Sequence, residues 1–219
     1  MKGFIDIHTH KLNQPCSIYQ QLIVDNLDSS YTHLKQFFSI GIHPQKADQT
    51  NLLQTLYSQS QHTLCIAIGE AGIDRLVAID MPTQIACFEA QIEWAIQCNK
   101  PLVVHCVKAF DILLALLKKY PVRTPWIIHG FRGKPALAKQ LYSKGCYLSI
   151  GQYFNAQSVA EIPLQRLLLE TDESTSDIQQ IYQQVAHTKK IPIKTLRDAI
   201  ITNSQHLFGI VFSANLIRK

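Results

Sequence analysis

No apolar stretch in this 219-residue chain approaches the roughly 20 residues a bilayer-spanning helix needs, so a helical membrane protein is not expected. Charge is sparse at 17%, and the basic residues are dispersed; no block of like charge marks a nucleic-acid tail. Cys16, Cys65, Cys87, Cys98, Cys106 and Cys146 stand singly, with neither a disulfide framework nor a C-x-x-C pair among them. That usage points to reduced thiols in a cytosolic protein. Low-complexity tracts, repeats of fixed period and obvious linkers are also missing. The opening MKGFIDIHTH has a histidine pair where a cleaved export signal would need apolar residues, so a cytoplasmic location is expected. Nothing calls for an obligate protein partner, and a monomer is expected.

What the chain does have is an apolar fraction of 47%, ample for one continuous core, and a single domain over residues 1–219 is expected. The net charge of +5 tolerates a polyanionic substrate without demonstrating one. Short apolar runs read as strands over 3–7, 18–24, 37–42, 64–69, 102–104, 126–128, 146–150 and 167–169. Helical patterns fall over 50–60, 82–98, 109–120, from Pro135 to a stop at Gly145, 176–187 and 195–208. In the second of these, Ile85, Phe88, Ile92 and Ile96 recur at spacings of three and four, the helical period. Eight strands alternating with helices predict parallel pairing and an α/β fold, the (β/α)8 TIM-type barrel. The segment between the first and third strands is too short for complete helical crossovers, so irregularity is expected in the first third.

Five of the apolar runs end in a side chain that metals favour: FIDIHTH, LCIAIGEAGID, PLVVHC, WIIHG and LLLETDE. They bring His8, His10, Glu70, His105, His129 and Asp172 to carboxyl ends of strands, where barrel active sites are built. Imidazole and carboxylate suit divalent transition metals, and six such groups suffice for a two-metal site. His8 and His10 lie two apart on an extended segment and so share a face; Asp6 shares it one step deeper, where it can orient a ligand. Glu70 suits a carboxylate shared by two ions, and Asp172 suits a ligand that also accepts a proton from the attacking water. Zn, Mn, Fe, Co or Ni fit the histidine-rich set, whereas Mg prefers oxygen. Arg75, Lys108, Arg132 and Lys134 follow strand ends and can meet a phosphate; Tyr153 and Phe154 can stack on a base. Cys106, adjacent to His105 on a strand, is expected to point to the other face.

The ordered set DIHTH, GIHP, GEAGID, PLVVHC, HGFRG and ETD, with the ending NSQHLFGI, resembles the TatD-type metal-dependent deoxyribonucleases, within the amidohydrolase-like barrels. The resemblance implies one ion held by His8, His10, Glu70 and Asp172, and a second by Glu70, His105 and His129. It also implies a contact near the site from His43, and hydrolysis of phosphodiester bonds, with DNA or another phosphate ester as substrate. Where that family carries an Arg after its HC pair, this chain has Val107 followed by Lys108, and Glu173 stands where a Pro is usual. Glu70 occupies the fourth-strand position at which cyclic amidohydrolases and lactonases use a modified lysine. A hydrolase of small phosphate esters, lactones or amides, and a barrel that binds metal or nucleic acid without turnover, are the competing readings.

Overall fold

The computed structural model describes residues 3–11, 17–21, 36–120 and 124–209. In chain order the strands are β1 (Asp6–Thr9), β2 (Ser17–Gln21), β3 (Phe38–Ile40), β4 (Cys65–Asp74), β5 (Leu102–Val107), β6 (Trp126–Ile128), β7 (Tyr147–Ile150) and β8 (Leu167–Leu169). The α-helices are α1 (Leu52–Gln59), α2 (Met81–Cys98), α3 (Phe110–Lys119), α4 (Pro135–Ser143), α5 (Ala156–Glu161), α6 (Ile178–Lys189) and α7 (Ile193–Phe208). The pairings seen are all parallel, and from β4 onward strands and helices alternate as in a (β/α)8 chain. Between β1 and β2 the connection is shorter than the dozen or more residues of a helical crossover, so the early irregularity is a matter of chain length. The rest of the expected second strand, 22–24, lies outside the described residues.

By internal contacts the chain divides into two compact units, one from Met1–Tyr19 with Ile127–Lys219, the other from Gln20–Trp126. In the first, β1 pairs with β2 on one side and meets β8 on the other through a Thr9–Asp172 bridge. β8 continues to β7, and β7 to β6. Helices α6 and α7 are tied into this unit by buried polar side chains as well as by apolar ones. The Tyr182 hydroxyl accepts from Ile5 N and donates to Ile5 O, clamping the chain as it enters β1. Asn203 donates to the carbonyls of Leu164 and Leu167 and fixes the entry to β8.

In the second unit β4 lies between β3 and β5. The expected end of β4 at Gly69 is corrected: the strand runs to Asp74, and β5 runs to Val107 rather than stopping at Val104. Glycine and a charged residue read as punctuation in the sequence, but here they serve close approach. A Cβ on Gly69 would strike the carbonyl of Val103, and one on Gly72 the carbonyl of His105. Both glycines have positive φ, 132° and 156°. The bare backbone lets β4 and β5 pair through Gly72 and His105, so Glu70 and His105 come to neighbouring positions.

The buried face of α2 includes Phe88 and Ile92 of the recurring apolar set. Ile85 and Ile96 are only half-buried, and the stripe runs through Gln84, Phe88, Gln91, Ile92 and Ala95. Two glutamines take core positions because each satisfies a strand end. Gln91 accepts from Ile42 N at 2.7 Å and donates to Ile42 O at 3.0 Å; Gln84 accepts from Asp74 N at 2.8 Å and donates to Asp74 O at 3.1 Å. A buried amide with both ends paired avoids the desolvation penalty that an unpaired one carries. Helix α5 was not anticipated; it is six residues long, too short to show periodicity, and is started by Asn155 accepting from Ser158 N.

Candidate metal centre

Each unit carries its own cluster of imidazole and carboxylate. In the first, Asp172 Oδ1 lies 3.3 Å from His10 Nε2 and 3.6 Å from His8 Nε2. Asp172 is held in place by main-chain bonds in both directions: its N–H donates to His8 O, and its carbonyl accepts from His10 N. Its φ of 54° is in the left-handed region, which few residues other than glycine adopt. The His129 ring stands 4.7 Å from that of His8, and its Nδ1 is 3.4 Å from Glu170 Oε1. Asp172, His129 and Glu170 form a second overlapping triad in which three donor atoms lie within 4.8 Å of one another, as do those of His8, His10 and Asp172.

The electrostatics follow from burial and these partners. Burial alone would raise the Asp172 carboxyl, but the hydrogen bonds from His10 and His8, with the charge of His8 and His129, outweigh it and hold the group far below the usual carboxylate range. Asp6 behaves oppositely: burial pushes it up to about 7, against hydrogen bonds from Thr171 and a backbone N–H. Its carboxyl accepts from Thr171 N at 3.0 Å and Thr171 Oγ1 at 2.7 Å, tying β1 to the end of β8 beneath His8. Asp6→Ala is expected to cost about 3 kcal/mol in denaturant unfolding, because buried donors lose their acceptor, and Asp6→Asn about 1 kcal/mol. Equal stabilities for the two variants would remove Asp6 from this supporting role.

In the second unit His105 Nδ1 is 2.5 Å from Glu70 Oε1, and its Nε2 is 3.3 Å from Asp74 Oδ2. His43 Nε2 lies 3.7 Å from the same Glu70 oxygen, and the His43 and His105 rings are 4.5 Å apart. Glu70 is 6% exposed, so its charge is held by imidazoles and not by water. The Arg75 guanidinium donates to Asp111 at 2.7 Å and to Lys108 O at 2.6 Å. Arg75, expected to meet a phosphate, is thus paired with an exposed carboxylate beside Lys108. Arg132 lies over the exposed Tyr153 ring, 5.5 Å from its centroid.

Two carboxylates escaped the sequence reading. Glu170 is fully buried, accepts from Gly130 N at 2.6 Å, and its Oε2 has no hydrogen-bond partner among the described residues. Asp74 stands behind His105. Both could have been found by period-two counting on an extended chain, since Glu170 is two residues from Asp172 and Asp74 is four from Glu70. Among the described cysteines, all five are free, and burial pushes the Cys106 thiol up to about 12, which keeps it from thiolate chemistry at neutral pH.

These donors fit a divalent metal. Two atoms each about 2.1 Å from one tetrahedral ion stand roughly 3.4 Å apart. The separations at Asp172, 3.3 and 3.6 Å, match that spacing. The orphaned buried oxygen of Glu170 adds a second reason for positive charge in the first cluster.

Parallel strands alternating with helices, and histidine–carboxylate clusters at strand ends, define a TIM-type chain with groups that could hold a divalent metal. The family model for TatD-related DNases matches residues 14–209, and the chain belongs to that family. A protein of Haemophilus influenzae described as an uncharacterized metal-dependent hydrolase is 30% identical over 62% of this chain. A 3′-5′ ssDNA/RNA exonuclease TatD of Edwardsiella piscicida is 32% identical over 60%. The matched stretches span only 58% and 55% of those relatives' own lengths. The crystal structure of a TatD homologue from Escherichia coli K12 covers 94% of this chain and 98% of its own, with a TM-score of 0.78 at 20% identity, a likeness of fold.

Proposed function

We propose that the chain is a divalent-metal-dependent phosphodiesterase, acting on DNA ends or a related phosphate ester. The observation that carries this reading is the convergence of His8 and His10 on one oxygen of Asp172, within a TatD-family chain. We assign His8, His10, Glu70, His105, His129 and Asp172 as ligands of two ions, with Glu70 shared between them. When bound, the metal supplies Lewis acidity to the phosphoryl group and lowers the pKa of water. The protein's residues then do the rest. Asp172, kept ionised by its histidines, accepts one proton as the water oxygen bonds to phosphorus. The phosphorus–oxygen bond to the leaving group breaks, and the leaving oxygen takes up a proton, giving a phosphomonoester and an alcohol. Lys108 and Arg132 offer charge to the substrate phosphates. Five free thiols suit a cytoplasmic setting.

Lys108→Ala and Arg132→Ala are each expected to raise KM for a charged diester several-fold, on the scale of one lost phosphate contact, and to leave KM for an uncharged ester unchanged. Steady-state kinetics on the two substrates decides this. Equal effects on both would assign the side chains to ordinary solvated charge.

A further inference from the structure

The two aromatic residues beyond β7 differ in burial. Phe154 is half-buried, whereas Tyr153 is 64% exposed. Tyr153 keeps that exposure although the Arg132 guanidinium lies over its ring, 5.5 Å from the centroid, so aromatic surface remains open to a second partner. Among the described residues no carboxylate pairs with Arg132, and its charge stands against the ring instead. Both side chains are anchored to the Asp172 cluster. Arg132 lies three residues beyond His129, in the turn after β6. That turn is held by Phe131, which buries its ring and donates its N–H to Ser149 O at 3.0 Å. It is held again by Gly130, whose N–H donates to Glu170 Oε1 at 2.6 Å. Tyr153 follows Gln152, whose amide oxygen accepts from the Ser174 hydroxyl at 2.5 Å, just past Asp172. Ser158 Oγ donates to Gly133 O at 2.6 Å and ties α5, at the end of the Tyr153 loop, to the Arg132 turn. A flat π surface and a positive charge are therefore held together on the strand-end rim that carries His129 and Asp172.

We propose that Tyr153, backed by Arg132, is a nucleobase-stacking platform beside the metal centre, so that the chain takes nucleotides in preference to small phosphate esters. A nucleobase offers a large uncharged π face, and the phosphate joined to it offers the charge that Arg132 meets. A phosphate ester without a base leaves the ring idle. Stacking accepts every base, so the platform selects nucleic acid as a class and not its sequence. Arg132 acts on the base through the ring, by limiting the conformational freedom that Tyr153 gives up on binding. The phosphodiester as the reacting group rests on the phosphodiesterase reading; the platform rests on the rim itself.

The test compares two diesters of equal charge and leaving group, thymidine 5′-(p-nitrophenyl) phosphate and methyl p-nitrophenyl phosphate, with the Mn²⁺-loaded full chain. Wild type, Tyr153→Ala, Tyr153→Phe, Arg132→Ala and the double variant Tyr153→Ala/Arg132→Ala are assayed together. The readout is the ratio of kcat/KM for the nucleoside ester to that for the methyl ester. Tyr153 is a surface residue, so its removal opens no cavity in the core. We expect the ratio to exceed one in wild type, to fall about 5- to 100-fold in Tyr153→Ala, and to stay within about twofold in Tyr153→Phe, which keeps the ring. Arg132→Ala is expected to lower the ratio several-fold, and the double variant to lose no more of it than Tyr153→Ala alone. A ratio unmoved by Tyr153→Ala would overturn the platform, and a ratio lost equally in Tyr153→Phe would assign the effect to the hydroxyl and not to stacking. Losses that multiply in the double variant would overturn the action of Arg132 through the ring. Calorimetric binding of thymidine 5′-monophosphate against methyl phosphate repeats the comparison without turnover, and wild type and Tyr153→Ala with the same preference there would also overturn the platform. A chain that hydrolyses neither ester counts against the phosphodiesterase reading, and the binding preference still decides the platform.

Discussion

Asp172→Asn is expected to leave a folded chain with turnover reduced by roughly 10²–10⁴-fold, the range associated with losing a positioned proton acceptor. Asparagine keeps the volume and the main-chain bonds to His8 O and His10 N, so the backbone arrangement at the end of β8 is preserved. What goes is the negative charge that two imidazoles keep ionised, and with it the carboxylate oxygen placed to accept a proton from water. Circular dichroism and thermal unfolding separate the two effects: the variant should melt cooperatively and close to wild type while kcat collapses. Near-normal turnover in a folded Asp172→Asn chain would mean that water is activated elsewhere.

Glu70→Ala is the second large effect. Both His43 and His105 approach the Glu70 carboxylate, and it is buried on a strand whose glycines let β4 and β5 close together. If Glu70 is the ligand shared by two ions, its removal leaves His105 facing no partner carboxylate on its Nδ1 side. The bound metal should fall from two ions per chain to one, and activity by on the order of 10³-fold or more, since the polarising charge at the phosphoryl group is halved. Metal analysis after gel filtration reads the first quantity and initial rates the second. Two ions retained per chain would refute the sharing role whatever the rate.

These expectations rest on residues that were plain in the sequence for a physical reason. His8, His10, Glu70, His105, His129 and Asp172 each interrupt or end an apolar run, where an unpaired polar group is costly and therefore conspicuous. Glu170 and Asp74 were less visible because each sits beside a more obvious candidate, and only the even spacing along an extended strand distinguishes it. The polar side chains that hold the site together gave weaker signals still. Gln84 and Gln91 count as solvent-facing in any reading that follows apolar periodicity, yet both are fully buried and bind strand-end backbone. On α2 the apolar recurrence includes the buried Phe88 and Ile92 but passes over the two glutamines, because periodicity registers hydrophobicity and not hydrogen-bond satisfaction. Strand ends were set too early at Gly69 and Val104 because a glycine in the first and a polar His105 after the second read as terminators unless the neighbouring strand is known. Arg75 could be placed near a strand end by sequence, but its pairing with Asp111, thirty-six residues away, is a tertiary fact.

The claim at the centre of this account is metal-dependent phosphodiester hydrolysis at the Asp172 cluster. Its most direct test is degradation of end-labelled single-stranded DNA by chelator-stripped protein, with Mn²⁺ or Mg²⁺ restored and Asp172→Asn run beside wild type. Progressive shortening that requires added metal and disappears in the variant is the predicted result. Intact DNA under both ions, with the ions demonstrably bound, would contradict it.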